Sequence, residues 1–191
     1  MRYWQTLLAV GLAATAIGVA APTTIAPAKP VAASATVSPY CGFYWGSLLK
    51  QHTPTAVAPL VNVRAGRHAC FERLVLDMSG KADGYRVEYV TQAHRAGSGS
   101  LVPLRGGARL LIMAFAPAHD DDYRPTYRPV NPTEMVNVSG WRTFRQVHWH
   151  GTYEGETRIS LGVRARLPFR VFTLDGPGTG SRIVIDVAHR W

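Results

Sequence analysis

Beyond residue 57, the apolar residues of this chain recur with a period of two, and no stretch carries the helical period of 3.6. Thr157 to Leu167 shows it most clearly. Ile159, Leu161 and Val163 fall on one side, and Arg158, Ser160, Arg164 and Arg166 on the other. Extended backbone sends successive side chains to opposite faces, so this pattern specifies strands with one buried face. Tyr85, Val87 and Tyr89 alternate with Arg86 and Glu88 in the same way. Residues Ala108 to Ala116 are apolar almost throughout, as in a central strand covered on both sides. Further strands are expected at Val57–Arg64, Cys70–Met78, Leu101–Leu104, Thr143–His150, Pro168–Leu174 and Arg182–Val187, with Gly/Pro turns between them. The expected fold is all-β: a single β-sandwich or flattened barrel of about eight or nine mostly antiparallel strands. Residues 117–142, rich in Pro, Asp, Tyr and Arg, interrupt the pattern, and a loop of that length is often functional.

The N-terminal third reads differently. Arg2 followed by the apolar, Ala/Gly-rich run from Leu7 to Ala21 resembles a secretory signal peptide and is too short for a comfortable membrane span. Small residues at Ala33 and Ala35 place cleavage before Thr36; an uncleaved N-terminal anchor is the alternative. The expected organisation is a signal peptide at 1–35, an N-terminal arm with an aromatic cluster at 36–56, and a β domain at 57–191. Export makes the only two cysteines, Cys41 and Cys70, a candidate disulfide, with two free buried thiols as the alternative. The aromatic cluster around Phe43, Tyr44 and Trp45 would then dock on the domain, and Phe71, Leu74, Val75 and Leu76 would be core.

Loss of residues 1–35 removes Arg2 and Lys29 and no acids, leaving 19 basic against 12 acidic residues, a formal charge of +7. Outside a cell this balance favours anionic wall polymers, acidic polysaccharides or lipid headgroups. Nucleic acid is not expected, because the arginines are scattered and no recognition motif is present. No transmembrane span is expected in the mature chain.

Val63 to Asp77, Gly84 to Val90, Leu167 to Phe172 and Ser181 to Val187, in this order, resemble the AMIN-like domain of secreted actinobacterial proteins, over roughly residues 57–191. That family is similar to the AMIN domain of cell-wall amidases, a small non-catalytic β-sandwich that localises its protein by binding peptidoglycan or other envelope components. The resemblance implies a secreted envelope-binding module, extracellular or wall-associated, with peptidoglycan or an anionic wall polymer as partner and an envelope protein as a further possible partner. It supplies no ligand residues.

Those must come from residue chemistry. Arg158, Arg164, Arg166 and Arg170 form a candidate basic face, since guanidinium forks match carboxylates and phosphates. Trp141, Trp149 and Tyr153 could stack on sugar rings beside them. His148 and His150 share a strand face, a possible start of a zinc site, although a surface pair of histidines is the plainer reading. Asp120 to Asp122 lack the spacing of a calcium loop and read as a solvated acidic turn. Arg73 and Asp77, and Arg182 and Asp186, are expected to pair with neighbouring strands. No catalytic set, metal site or cofactor motif emerges. A small extracellular hydrolase or metal-dependent enzyme, and a protein-interaction module using the aromatic arm, stand as alternatives.

Overall fold

The computed structural model describes residues 39–95 and 97–191. The expected signal segment lies outside them. Eleven strands follow in order: β1 (Lys50–His52), β2 (Leu60–Arg67), β3 (Phe71–Met78), β4 (Tyr85–Val90), β5 (Ala93–His94), β6 (Leu101–Val102), β7 (Ala108–Ala114), β8 (Phe144–Tyr153), β9 (Glu156–Val163), β10 (Phe169–Asp175) and β11 (Ser181–Ala188). All pairings between them are antiparallel. A five-stranded sheet has the order β1-β4-β7-β9-β8, a four-stranded sheet the order β10-β11-β3-β2, and β5 pairs with β6. The two large sheets share no strand, so the structure is an open sandwich and not a closed barrel. Among the described residues no helix is long and apolar enough to cross a membrane.

One core joins the sheets. Leu74, Leu76 and Met78 of β3, Ile183, Ile185 and Val187 of β11, and Phe169 of β10 meet Val87 of β4, Leu110 and Ile112 of β7, Ile159, Leu161 and Val163 of β9, and Phe144 and Val147 of β8. Complete burial of side chains this size stabilises by roughly 1.5–3 kcal/mol each. β7 is central, as its composition suggests, but its outer face, with Arg109, Leu111 and Met113, is only half-buried. The strand expected over Thr157–Leu167 ends at Val163, where the chain bends, so Arg164 and Arg166 leave the sheet. Phe71 and Val75 are buried, but not in the inter-sheet cluster. They lie on the outer face of β3, with Phe71 against Trp45 of the arm at 5.8 Å between rings.

The arm is fastened by the Cys41–Cys70 disulfide, which closes a separation of 29 residues. Its backbone joins the four-stranded sheet where the Phe169 amide donates to Gly46 O at 2.8 Å. Beneath it lies Asp186, fully buried on β11. Its carboxylate accepts from Arg73 Nε at 2.6 Å and Arg170 Nε at 2.8 Å. The Arg170 guanidinium then faces the Phe43 ring at 3.6 Å and Trp45 at 5.2 Å. Asp77 pairs with Arg64 on β2. Arg73, Asp77 and Asp186 thus pair across strands as expected.

The 115–143 segment is a seam between the sheets. It bonds to the β2 side through Leu60 N to Pro117 O (2.7 Å) and Thr126 Oγ1 to Leu60 O (2.7 Å). It covers the β8 edge through Met135 N to Val147 O (2.9 Å) and Trp149 N to Pro132 O (2.7 Å). An edge so occupied cannot pair with another chain.

Candidate functional site

The nine residues singled out above occupy several separate places. Arg170 is held by Asp186 on the outer face of the four-stranded sheet. Arg158 is on the opposite side of the molecule, on β9, and pairs with Glu156. Arg164 donates to His189 O at 2.7 Å and Arg166 to Ser47 O at 3.1 Å. The proposed basic face is therefore not assembled as one surface. Trp149 turns inward against Tyr127, their rings 5.5 Å apart, while Tyr153 is exposed at the β8–β9 hairpin.

His148 and His150 are not a surface pair: they are 3% and 7% exposed. The β5–β6 region lies close to the outer face of their sheet. Arg105, just beyond β6, lies so close to Gly162 of β9 that a Cβ there would stand 2.0 Å from Arg105 O. Arg95, between β5 and β6, brings its charge near both imidazoles. Burial, the neighbouring imidazole and Arg95 push His150 down to about 4, and burial lowers His148 as well. The rings are 4.9 Å apart, and His150 Nε2 shares a 2.7 Å hydrogen bond with Ser160. Both Nδ1 atoms are buried without a partner. Among the described residues no group of three or more His, Cys, Asp or Glu is placed to hold a metal ion.

The acidic turn is a turn: Asp120 Oδ1 accepts from the amides of Asp122 and Arg124 at 3.0 and 2.8 Å. Glu88 pairs with Arg86, and Ser98 shares a hydrogen bond with Ser100.

Trp141 stands elsewhere, at the mouth of an open depression of about 570 Å³ lined by Arg105, Val138, Ser139, Gly140, Phe144 and Arg145. It is aimed by a tight turn. Trp141 N donates to Val138 O at 3.2 Å, and Gly140 takes φ 73°, a conformation that a side chain disfavours. The indole stacks on Phe144 at 5.9 Å and 15°. The Arg67 guanidinium lies 5.8 Å from its ring. Arg145 Nη1 ties the segment by donating to Trp141 O at 2.8 Å and Phe144 O at 2.9 Å.

Below sits Glu72, 1% exposed, whose carboxylate accepts from Thr143 N at 3.0 Å and from Phe144 N. Thr143 Oγ1 meets His189 Nδ1 at 2.8 Å, and His189 Nε2 meets His68 O at 3.0 Å. These buried bonds fix the C-terminal end of the Trp141 segment. Arg67 lies over the indole, Arg105 and Arg145 line the depression beside it, and the exposed Arg142 follows it in sequence. Glu134 is paired to Arg105, and Glu72 is spent on backbone amides. Trp141 is evident in the sequence and its arginines are not, because Arg67 and Arg105 are distant in sequence and only the fold brings them close.

Comparison with known proteins agrees with the fold. The family model of the AMIN-like domain matches residues 58–189. No curated protein and no solved structure matches the chain. The match spans both large sheets apart from β1, together with the Trp141 depression, and the chain belongs to the AMIN-like domain family.

Proposed function

We propose that this chain is a secreted, non-catalytic binding module of the cell envelope, and that it takes peptidoglycan or an anionic wall glycopolymer at the Trp141 depression. Membership in the AMIN-like family suggests a cell-wall-related binding module. The observation that carries the reading is the half-buried indole of Trp141 in an open depression, with the Arg67 guanidinium at 5.8 Å and Arg105 and Arg145 in its wall. An indole face accepts a sugar ring, and guanidinium forks accept carboxylate or phosphate in a fixed orientation. Arg67 and Arg142 have no ion-pair partner among the described residues.

Sedimentation with purified cell wall tests it, with two arms: intact wall, and wall stripped of anionic glycopolymer by mild acid. Binding to both assigns peptidoglycan, and binding to intact wall alone assigns the glycopolymer. Failure to sediment with either at low salt sinks the proposal.

A further inference from the structure

A second surface lies at the end of the sandwich where the arm, the β9–β10 connection and the C-terminus meet. Arg166 Nη2 donates to Ser47 O at 3.1 Å, and Trp191 Nε1 donates to Arg166 O at 3.1 Å. Lys50 Nζ donates to Leu48 O at 3.1 Å, and the Arg190 guanidinium lies 4.8 Å from the Tyr40 ring. Three cations stand at these contacts, and three large side chains of the same segments face solvent: Tyr44 is 76% exposed, Leu48 74% and Trp191 69%. Residues 36–50, 164–174 and 187–191 contain no aspartate or glutamate. Lys50, Arg166 and Arg190 have no ion-pair partner among the described residues.

We infer that this end of the domain is a docking surface for an anionic phospholipid membrane. Charge complementarity selects an anionic partner. Leu48 and Trp191 select a bilayer over a hydrophilic polymer: a leucine held in water gains from a lipid interface and has nothing to gain from hydrated sugar or phosphate. Tryptophan and tyrosine settle at the headgroup level, where the apolar ring and the polar N–H or O–H are both satisfied. Cations close to such a surface add attraction that salt screens. The disulfide of the arm keeps Tyr44 near the domain, so little ordering is required on contact. This surface is distinct from the Trp141 depression and does not depend on it.

Vesicle flotation decides it, with the chain from Thr36 onward, since residues 39–191 contain the arm, its disulfide and both sheets of the sandwich. Mixed phosphatidylcholine–phosphatidylglycerol vesicles are compared with pure phosphatidylcholine at low salt. The chain floats with the mixed vesicles and not with the neutral ones, and high salt releases it. Leu48→Glu combined with Trp191→Ala, both at exposed positions, lowers partition by at least about tenfold, and Arg166→Gln by about fivefold. Trp141→Ala leaves it unchanged, which separates this surface from the wall-binding reading. No flotation with mixed vesicles, equal flotation with neutral vesicles, unchanged partition in the Leu48→Glu/Trp191→Ala variant, or loss in Trp141→Ala overturns the inference.

Discussion

The molecule holds two arginine–aromatic clusters built from the same residue types with opposite consequences. Under the arm, Arg73 and Arg170 face Phe43, Trp45, Phe71 and Phe172, and both guanidinium groups are bonded to the fully buried Asp186. In the Trp141 segment and over its indole, Arg142 and Arg67 have no ion-pair partner among the described residues, and Arg145 is turned to backbone carbonyls. In the first cluster charge is neutralised inside the protein, and the aromatic rings cover it. In the second, positive charge is left facing solvent beside an indole. Arginine and aromatic content alone therefore does not identify a recognition surface. What separates the two is whether a buried acid consumes the charge.

The largest expected effect is at the neutralised cluster. Asp186→Ala leaves two partly buried guanidinium groups without their acid and should cost about 3–5 kcal/mol of folding stability in urea unfolding. Protein that still folds should bind wall as before. Opening the disulfide, as Cys41→Ser with Cys70→Ser, should cost roughly 3–4 kcal/mol through the freed unfolded chain. It should also expose Arg170 by loosening Phe43 and Trp45, measurable as faster hydrogen exchange at β10.

The buried histidines give a third effect, in the acid limb. His150 is held down to about 4 in the folded chain, below its ordinary value. On acidification the unfolded chain therefore takes up its proton first. The stability this represents is complete above about pH 6.5 and is lost as pH falls toward about 4. His150→Gln should flatten the loss over that window, and an unchanged slope would show that the imidazole is not buried neutral. The smallest stability effect belongs to the open cluster: Arg67→Gln and Arg142→Gln should move the unfolding midpoint little, since surface substitutions stay within about 0.5 kcal/mol, while each weakens wall binding.

The strands were legible because one-sided burial imposes a period of two: Ile159, Leu161 and Val163, and Tyr85, Val87 and Tyr89, point as their alternation requires. Two of the three shortest strands, β1 and β5, were not, since two or three residues carry no period. The disulfide followed from the cysteine count. Three other features could not be read from the chain alone. Glu72 is deeply buried because the amides of Thr143 and Phe144, some seventy residues away, receive its carboxylate. His148 and His150 are buried on β8, with Ser160 of β9 bonded to His150 and the Arg95 charge brought near both rings by the fold. Arg164 and Arg166 fall off the strand because the chain bends after Val163. Each depends on a contact between distant segments, to which local pattern is blind. Trp141 was visible as an aromatic residue in a long loop, whereas its guanidinium neighbours come from three separate parts of the chain.

The most direct measurement is the affinity of Trp141→Ala for purified cell wall, read beside its unfolding midpoint. The account predicts a loss of at least about tenfold in binding, roughly 1.4 kcal/mol, with the sandwich still folded and cooperative. Wall binding equal to that of the unaltered chain would contradict it.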